Sequence, residues 1–399
     1  MLAIIKTISQ AFFKKTALNL RSFAVIYLDN AATTFPKPRC MVEALNKCIM
    51  EYCGNPGRSG HIMSQKAAEK VYECRNTLAT FFGSQSPENV VFTSNTTSAL
   101  NLAIKGLYKK GCHVLISNME HNSVLRPIYL LSQSHEIEYS IFNVLQNENK
   151  ILEELNNKVK SNTSLLIMTH ASNICDSVFP IDEVGEWCYR NNINFIVDAA
   201  QSAGSADINI SSFHIDALCF PAHKGLYGPQ GLGGVIFGKN TPIRTITEGG
   251  NGVNSISLDM GLSLPESFEA GTVATPLIAA LDASVKWVKS IGCNAINEHE
   301  KFLAKELSER LLSIQGTVLH SNADPMSGIV LFTNSKISQK SMDDILNYKK
   351  ICARSGLHCA PLAHTTLKTP TSGATRISIG YFNTLKDIDA AYKTIKSAI

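Results

Sequence analysis

A handful of side chains in this 399-residue sequence combine reactive chemistry with a telling position. Lys224 follows His223 at the exit of the apolar run "IDALCF", within "AHKGLYGPQGLGG", where Gly225, Gly228 and Gly231 shape a loop tight enough for backbone to approach a ligand. A lysine partly withdrawn from water sheds its proton more readily and can form a Schiff base with an aldehyde. Asp198 closes the apolar run "INFIVD". A buried unpaired charge is expensive, so this carboxylate needs a partner, and a protonated heterocyclic nitrogen would serve. Gln201, three residues on, can hydrogen-bond another substituent of the same ring. His121 in "SNMEHNSVLRP" follows the run "HVLIS", where an imidazole can stack on a flat ring or move a proton. The lysine and the aspartate have ordinary readings beside these: an exposed loop lysine and a helix-capping aspartate.

After "NVVFTS" come Asn95, Thr96 and Thr97, where a helix should begin. Free backbone N–H groups, a positive dipole end and hydroxyls make an anion site that suits a phosphate; plain N-capping would use the same residues. Phosphate cradle, ring-facing histidine, carboxylate for a pyridinium and Schiff-base lysine, in that order along the chain, describe a pyridoxal phosphate site. Cys359 poses a separate question in "ARSGLHCAPLAH", residues 353–364. A metal site would need His358, His364 and a fourth donor, and adjacent residues rarely bind one ion together. Core cysteines such as Cys188 and Cys219 sit in apolar runs, whereas Cys359 has a polar setting with turn-forming Gly356 and Pro361. That setting fits a nucleophile whose thiolate is favoured by a neighbouring histidine or by Arg354.

The elements that must position these groups alternate. From about 64 to 290, the runs 89–94, 113–117, 165–170, 193–200, 215–220 and 233–238 alternate with helical stretches such as 64–82 and 150–160. This predicts βαβ units, with strands buried on both faces of a largely parallel sheet. In such sheets ligands sit at the carboxyl ends of the strands, which is where the residues above fall. Past residue 273, long helical stretches (about 275–315) lead into "SGIVLFTN", another helix, "ATRISIG" and a last helix, the pattern of a smaller α+β lobe. The expected division is a tail over 1–25, a large cofactor-binding domain over 41–290, and a small domain built from 26–40 and 291–399.

Composition closes off other functions. The net charge of +4 comes from scattered lysines, leaving no nucleic-acid footprint. Eleven cysteines without a C-x-x-C pair argue against a disulfide framework or structural zinc, and point to a reducing, cytoplasmic setting. No apolar run reaches the roughly 20 residues needed to span a bilayer. The N-terminal segment lacks acidic residues but carries Lys6, Lys14, Lys15 and Arg21, a composition that fits organellar targeting by residues 1–25, an upstream start codon or a loose amphipathic tail alike.

Longer motifs carry a resemblance. "YLDNAATTFPKP", "NPGRSGH", "SNTTSALNLAIKGL", "MEHNSVLRP", "VDAAQSAG", "AHKGLYGPQGLGG", "FEAGT" and "RSGLHCAPLAH", together and in this order, resemble the class V aminotransferase group and most closely the cysteine desulfurase family. The resemblance implies a homodimer of the fold-type I architecture of pyridoxal 5′-phosphate enzymes, acting on L-cysteine and passing sulfur to an acceptor protein. It implies Lys224 as the Schiff-base lysine, His121 as the ring-stacking residue, Asp198 as partner of the pyridine nitrogen and Gln201 as contact to the phenolic oxygen. Thr96, Thr97 and His223 would hold the phosphate, and Thr272 would reach the phosphate of the neighbouring subunit's cofactor. Asn173 and Arg376 would hold the substrate carboxylate, with Arg354 bordering the site, and Cys359 would form the persulfide. Pro221 stands where relatives often carry a hydroxyl residue, and Val273 and Ala274 where many have Pro and Asn. The same scaffold serves selenocysteine lyases and other class V reactions, and a slow persulfide relay is the non-enzymatic alternative.

Overall fold

The computed structural model describes residues 25–57, 60–239, 241–252, 256–322 and 324–399. The expected N-terminal tail, Val25 apart, lies outside them, as do Arg58 and Ser59 of the "NPGRSGH" motif.

Five parallel strands form most of a seven-stranded sheet: β3 (Cys112–Ser117), β4 (Ile137–Phe142), β5 (Thr163–Thr169), β6 (Asn194–Asp198) and β7 (Ala217–Pro221). With β2 (Val90–Thr93) and β8 (Gly233–Phe237), the order is β2, β8, β7, β6, β5, β3, β4. Successive strand residues point to opposite faces. Leu166 and Met168 of β5 therefore enter one core and Leu165 and Ile167 the other, all fully buried. Burying side chains of this size stabilises by about 1.5–3 kcal/mol each, so a charged replacement at Ile167 would break the sheet from within.

Strand β8 runs antiparallel to both neighbours. A parallel return usually needs a crossover of a dozen or more residues, commonly a helix, and residues 222–232 contain none. The chain therefore turns straight back at the end of β7, and Lys224 sits in that turn. The edge strand β4 was not among the expected runs. Its sequence "IEYSIF" is buried only at its ends, and continuous apolar character marks only strands covered on both faces.

Helices α1 (Arg39–Glu51), α2 (Ile62–Phe81), α3 (Thr96–Leu107), α4 (Asn122–Gln133), α5 (Glu148–Lys158) and α6 (Ile181–Arg190) join or flank these strands. The helical stretches expected over 275–315 are α7 (Thr275–Ile291) and α8 (Cys293–Leu312), divided at Gly292, which takes φ 93° between them. Beyond lie β9 (Thr317–Leu319), β10 (Ile329–Asn334), α9 (Gln339–Tyr348), β11 (Ile351–Cys352), β12 (Arg354–Gly356), α10 (Pro361–Thr366), β13 (Ala374–Ser378) and α11 (Leu385–Ala398). Strands β12, β13, β10 and β9 form an antiparallel sheet over a core of their own that takes in Leu28. The N-terminal β1 (Ile26–Tyr27) pairs with β11, after which residues 29–34 run to the Lys224 turn. No helix of the described residues is long and apolar enough to cross a membrane.

Candidate active site

Strand ends bring the reactive groups together. Asp198, 3% exposed at the end of β6, accepts from the Ala200 N–H at 2.9 Å. Burial pushes its carboxyl up, while the Lys224 ammonium pulls the other way. Burial drives Lys224 down to about 8; Asp198 opposes this and the guanidiniums of Arg376 and Arg354 reinforce it. The turn bearing Lys224 is pinned from the N-terminal segment. The His223 carbonyl accepts from Thr33 Oγ1, Thr34 Oγ1 and Lys37 Nζ, and the Lys224 carbonyl accepts from Thr34 Oγ1 at 3.0 Å.

Asn95 caps α3, accepting from the Ser98 N–H at 2.9 Å, so the ordinary capping role of that motif is real. Thr96 Oγ1 is nonetheless buried with no partner, as is His223 Nδ1. Thr97 Oγ1 lies 2.8 Å from Ser123 Oγ. His121 caps α4 by accepting from the Ser123 N–H at 3.1 Å through Nδ1, so its neutral ring carries hydrogen at Nε2. Burial first, then the charges of Lys224, Arg354 and Arg126, hold His121 near 4 and therefore neutral. Thr96, Thr97, His121, Asn173, Asp198, Gln201, His223 and Lys224 all line one cavity.

A second cavity adjoins it, sharing Thr97, His121 and Ser123 as wall and reaching the exposed Cys359. The Cys359 carbonyl accepts from Asn122 N at 2.8 Å, and its Sγ lies 3.9 Å from Arg354 Nη2. Of the histidine or arginine expected beside the thiol, Arg354 is the one within reach of its sulfur, while His358 is 3% exposed with both ring nitrogens engaged elsewhere.

Arg376, 1% exposed on β13, donates from Nη2 to Asp29 at 2.6 Å and from Nη1 to the Asn173 carbonyl at 2.7 Å, leaving Nε buried and unpartnered. Gln201 Nε2 donates to the Ala31 carbonyl, and Asn173 Nδ2 to the His358 carbonyl. Thr272 stands apart, in a cleft with Thr97, Ser98 and Glu269 rather than in the Lys224 cavity. Among the described residues no group of three or more His, Cys, Asp or Glu could hold a metal ion.

The arrangement fits a phosphorylated pyridine aldehyde. A depressed lysine faces a buried carboxylate, and beside them lie a helix N-terminus, an orphan threonine hydroxyl and an orphan imidazole nitrogen. Comparison with known proteins gives the lineage: the family model described as Aminotransferase class-V matches residues 26–391. The chain belongs to the class V aminotransferase family. Relatives within that family include cysteine desulfurases. A probable cysteine desulfurase of Methanothermobacter thermautotrophicus is 31% identical over 381 residues, 93% of this chain and 94% of the relative. The cysteine desulfurase IscS of Buchnera aphidicola is 31% identical over 390 residues, 94% and 92% of the two chains. The apo structure of cysteine desulfurase from Thermococcus onnurineus superposes with TM-score 0.86 at 30% identity, covering 94% of each chain. The fold is thus fold-type I, and the family works with pyridoxal 5′-phosphate.

Sequence reasoning missed several groups that shape this family site. Asp29 and Lys37 lie inside the motif "YLDNAATTFPKP", which was legible as a motif but offered no role residue by residue. Glu120, fully buried beside His121, accepts from Ser117 Oγ and from the Thr169 N–H at 2.7 Å. Thr169 pairs with Asp198 across β5 and β6, so Glu120 ties together the strand ends that carry the site. A glutamate in a polar loop motif gives no sign of such burial.

Proposed function

We propose that this member of the family is a cysteine desulfurase, converting L-cysteine to L-alanine and taking the sulfur onto Cys359. The observation that carries the reading is the shared wall of Thr97, His121 and Ser123 between the cavity of Lys224 and Asp198 and the cavity of Cys359. Pyridoxal 5′-phosphate, when bound, supplies an aldehyde for covalent attachment and a ring that draws electron density from the substrate.

Lys224 Nζ would hold the cofactor's aldehyde carbon, and Lys224 Nζ or His121 would move the substrate's α-hydrogen. A value near 8 leaves a useful neutral fraction at physiological pH. Asp198 would keep a proton on the ring nitrogen, neutral His121 would cover the ring, and Gln201 would hydrogen-bond its oxygen substituent. Thr96, Thr97, His223 and the first N–H groups of α3 hold the phosphate, with Thr272 contributing across a homodimer. Arg376 offers its unpartnered Nε and Asn173 its amide to the substrate carboxylate, and Arg354 sets a guanidinium nitrogen 3.9 Å from the Cys359 sulfur.

The balance of the transfer is simple. Cys359 Sγ bonds the substrate sulfur, the Cβ–S bond breaks, and the proton formerly on a thiol ends on Cβ, giving alanine and a persulfide. An acceptor protein then removes the sulfur by attack of a thiolate. Residues 41–290 form the cofactor-binding domain in this reading, and 26–40 with 291–399 the smaller one.

The test is alanine release from L-cysteine with a reductant present, wild type beside Cys359→Ala. Release by the wild type and almost none by the variant is the expected result. Equal release by both would make the thiol dispensable and favour selenocysteine or another amino acid as substrate.

A further inference from the structure

Two successive residues of the thiol loop, neither of them glycine, hold left-handed backbone: His358 at φ 50° and Cys359 at φ 57°. L-residues resist this conformation and keep it only where the surroundings over-determine it. Two of the restraints are backbone anchors already described, Asn173 Nδ2 on the His358 carbonyl at 2.8 Å and Asn122 N on the Cys359 carbonyl at 2.8 Å. The remaining restraint is a line of side chains.

His358 Nε2 lies 3.0 Å from the Arg354 carbonyl, which can only accept, so the hydrogen of a neutral ring is on Nε2. Nδ1 is then an acceptor, 3.2 Å from His364 Nε2, which must donate. His364 Nδ1 accepts in turn from Thr369 Oγ1 at 2.7 Å. The two rings lie within 15° of one plane with centroids 5.4 Å apart, the end-to-end geometry of an N–H···N bond. His358 and His364 are 3% and 2% exposed, so both stay neutral and every ring nitrogen has one partner.

We infer that His358 is a positioning residue: the one-directional line Thr369, His364, His358, Arg354 carbonyl locks the backbone of Cys359 so that its thiol meets the substrate sulfur. This rests on the reading of Cys359 as sulfur acceptor. A fixed backbone leaves the thiol only its own rotation, which matters because displacement by about 1 Å can slow a transfer a hundredfold.

Two replacements separate hydrogen bonding from packing. His358→Gln keeps a donor toward the Arg354 carbonyl and an acceptor toward His364, whereas His358→Phe keeps volume and loses both. In the holoenzyme, alanine release should fall at least about tenfold in His358→Phe and stay within about threefold in His358→Gln. Exchange of the substrate α-hydrogen with deuterium oxide, which does not require Cys359, should be unchanged in both. In cofactor-free protein, iodoacetamide labelling of Cys359 followed by mass spectrometry should accelerate severalfold in His358→Phe alone. Thr369→Val, which cuts the line at its far end, should shift labelling in the same direction and serves if His358→Phe does not fold.

A His358→Phe protein with wild-type labelling and alanine release would overturn the inference, as would a His358→Gln protein as impaired as His358→Phe. If Cys359→Ala releases alanine normally, the desulfurase reading fails on its own, and the labelling comparison still decides the lock.

Discussion

Arg354 and Arg376 stand directly opposite each other on β12 and β13, yet among their side chains only Arg376 is ion-paired, to Asp29 at 2.6 Å. Like charges in facing positions repel; neither guanidinium lines the Lys224 cavity, and Arg376 is tied to it through the carbonyl of Asn173, which does, so the proposed grip on a carboxylate rests on this pair. Arg376→Lys should therefore raise the KM for L-cysteine roughly 10- to 100-fold, the worth of one charge-assisted hydrogen bond, with a smaller effect on kcat. Steady-state kinetics on both proteins checks this, and an unchanged KM would remove Arg376 from the substrate site.

Lys224 and Asp198 are electrostatically linked, the carboxylate raising the lysine against the burial that lowers it. Asp198→Asn should push Lys224 further down. In cofactor-free protein, the pH dependence of Lys224 acetylation should then move to lower pH. Lys224→Ala should lose the visible absorption of bound cofactor and more than about a hundredfold in turnover. Absorption spectra and alanine assays read both outcomes.

Gly225, Gly228 and Gly233, which follow the lysine, leave no room for a side chain. A Cβ on Gly233 would lie 2.7 Å from Asn95 C, 2.8 Å from Phe220 O and 2.9 Å from Thr96 N, all backbone. Gly233→Ala must displace the N-terminus of α3 from the end of β7. A stability loss of about 1–3 kcal/mol and weaker cofactor binding should follow, measurable by denaturant unfolding and by titration with pyridoxal phosphate.

Acid should destabilise the cofactor-free protein. Burial holds His121, His170, His223 and His364 near 4 and His358 near 3, against about 6.5 unfolded. As pH falls below 6.5 the unfolded chain binds more protons at these five positions, and stability drops. Glu120 and Glu300, pushed up to about 8 by burial, work the other way: their contribution is full below about 4.5 and is lost as pH rises through 8. Glu183, raised to about 7 by its hydrogen bond with Asp182 and by burial, works the same way as these two; five still outweigh three, so the melting temperature should fall between pH 6.5 and 4.5. Glu120→Gln, always neutral, should melt closer to or above wild type at pH 9 and further below it at pH 5. A constant difference across that range would refute the raised carboxyl.

The chemistry of the site was legible because reactive residues fall at the ends of apolar runs, and apolar runs are what buried strands require. The antiparallel return of β8 was less legible. It follows from the short connection over 222–232, which reads as a glycine-rich loop until the strand pairing is known. Glu120 was hidden because burial of a charged side chain leaves no mark on its neighbours in sequence.

The sequence by itself determined which residue types were available: one lysine in a glycine turn, one carboxylate closing an apolar strand, one thiol in a polar loop. Local patterning also decided most of the strands and helices, since periodicity and capping act over a few residues. Only tertiary structure decided which groups meet. Asp29 reaches Arg376 across 347 positions of chain, and Lys37 reaches the His223 carbonyl across 186. It also turned His358 away from the thiol beside it and into a hydrogen-bonded line with His364. Such pairings rest on packing and on satisfying buried polar groups, which depend on distance in space and leave no period along the chain.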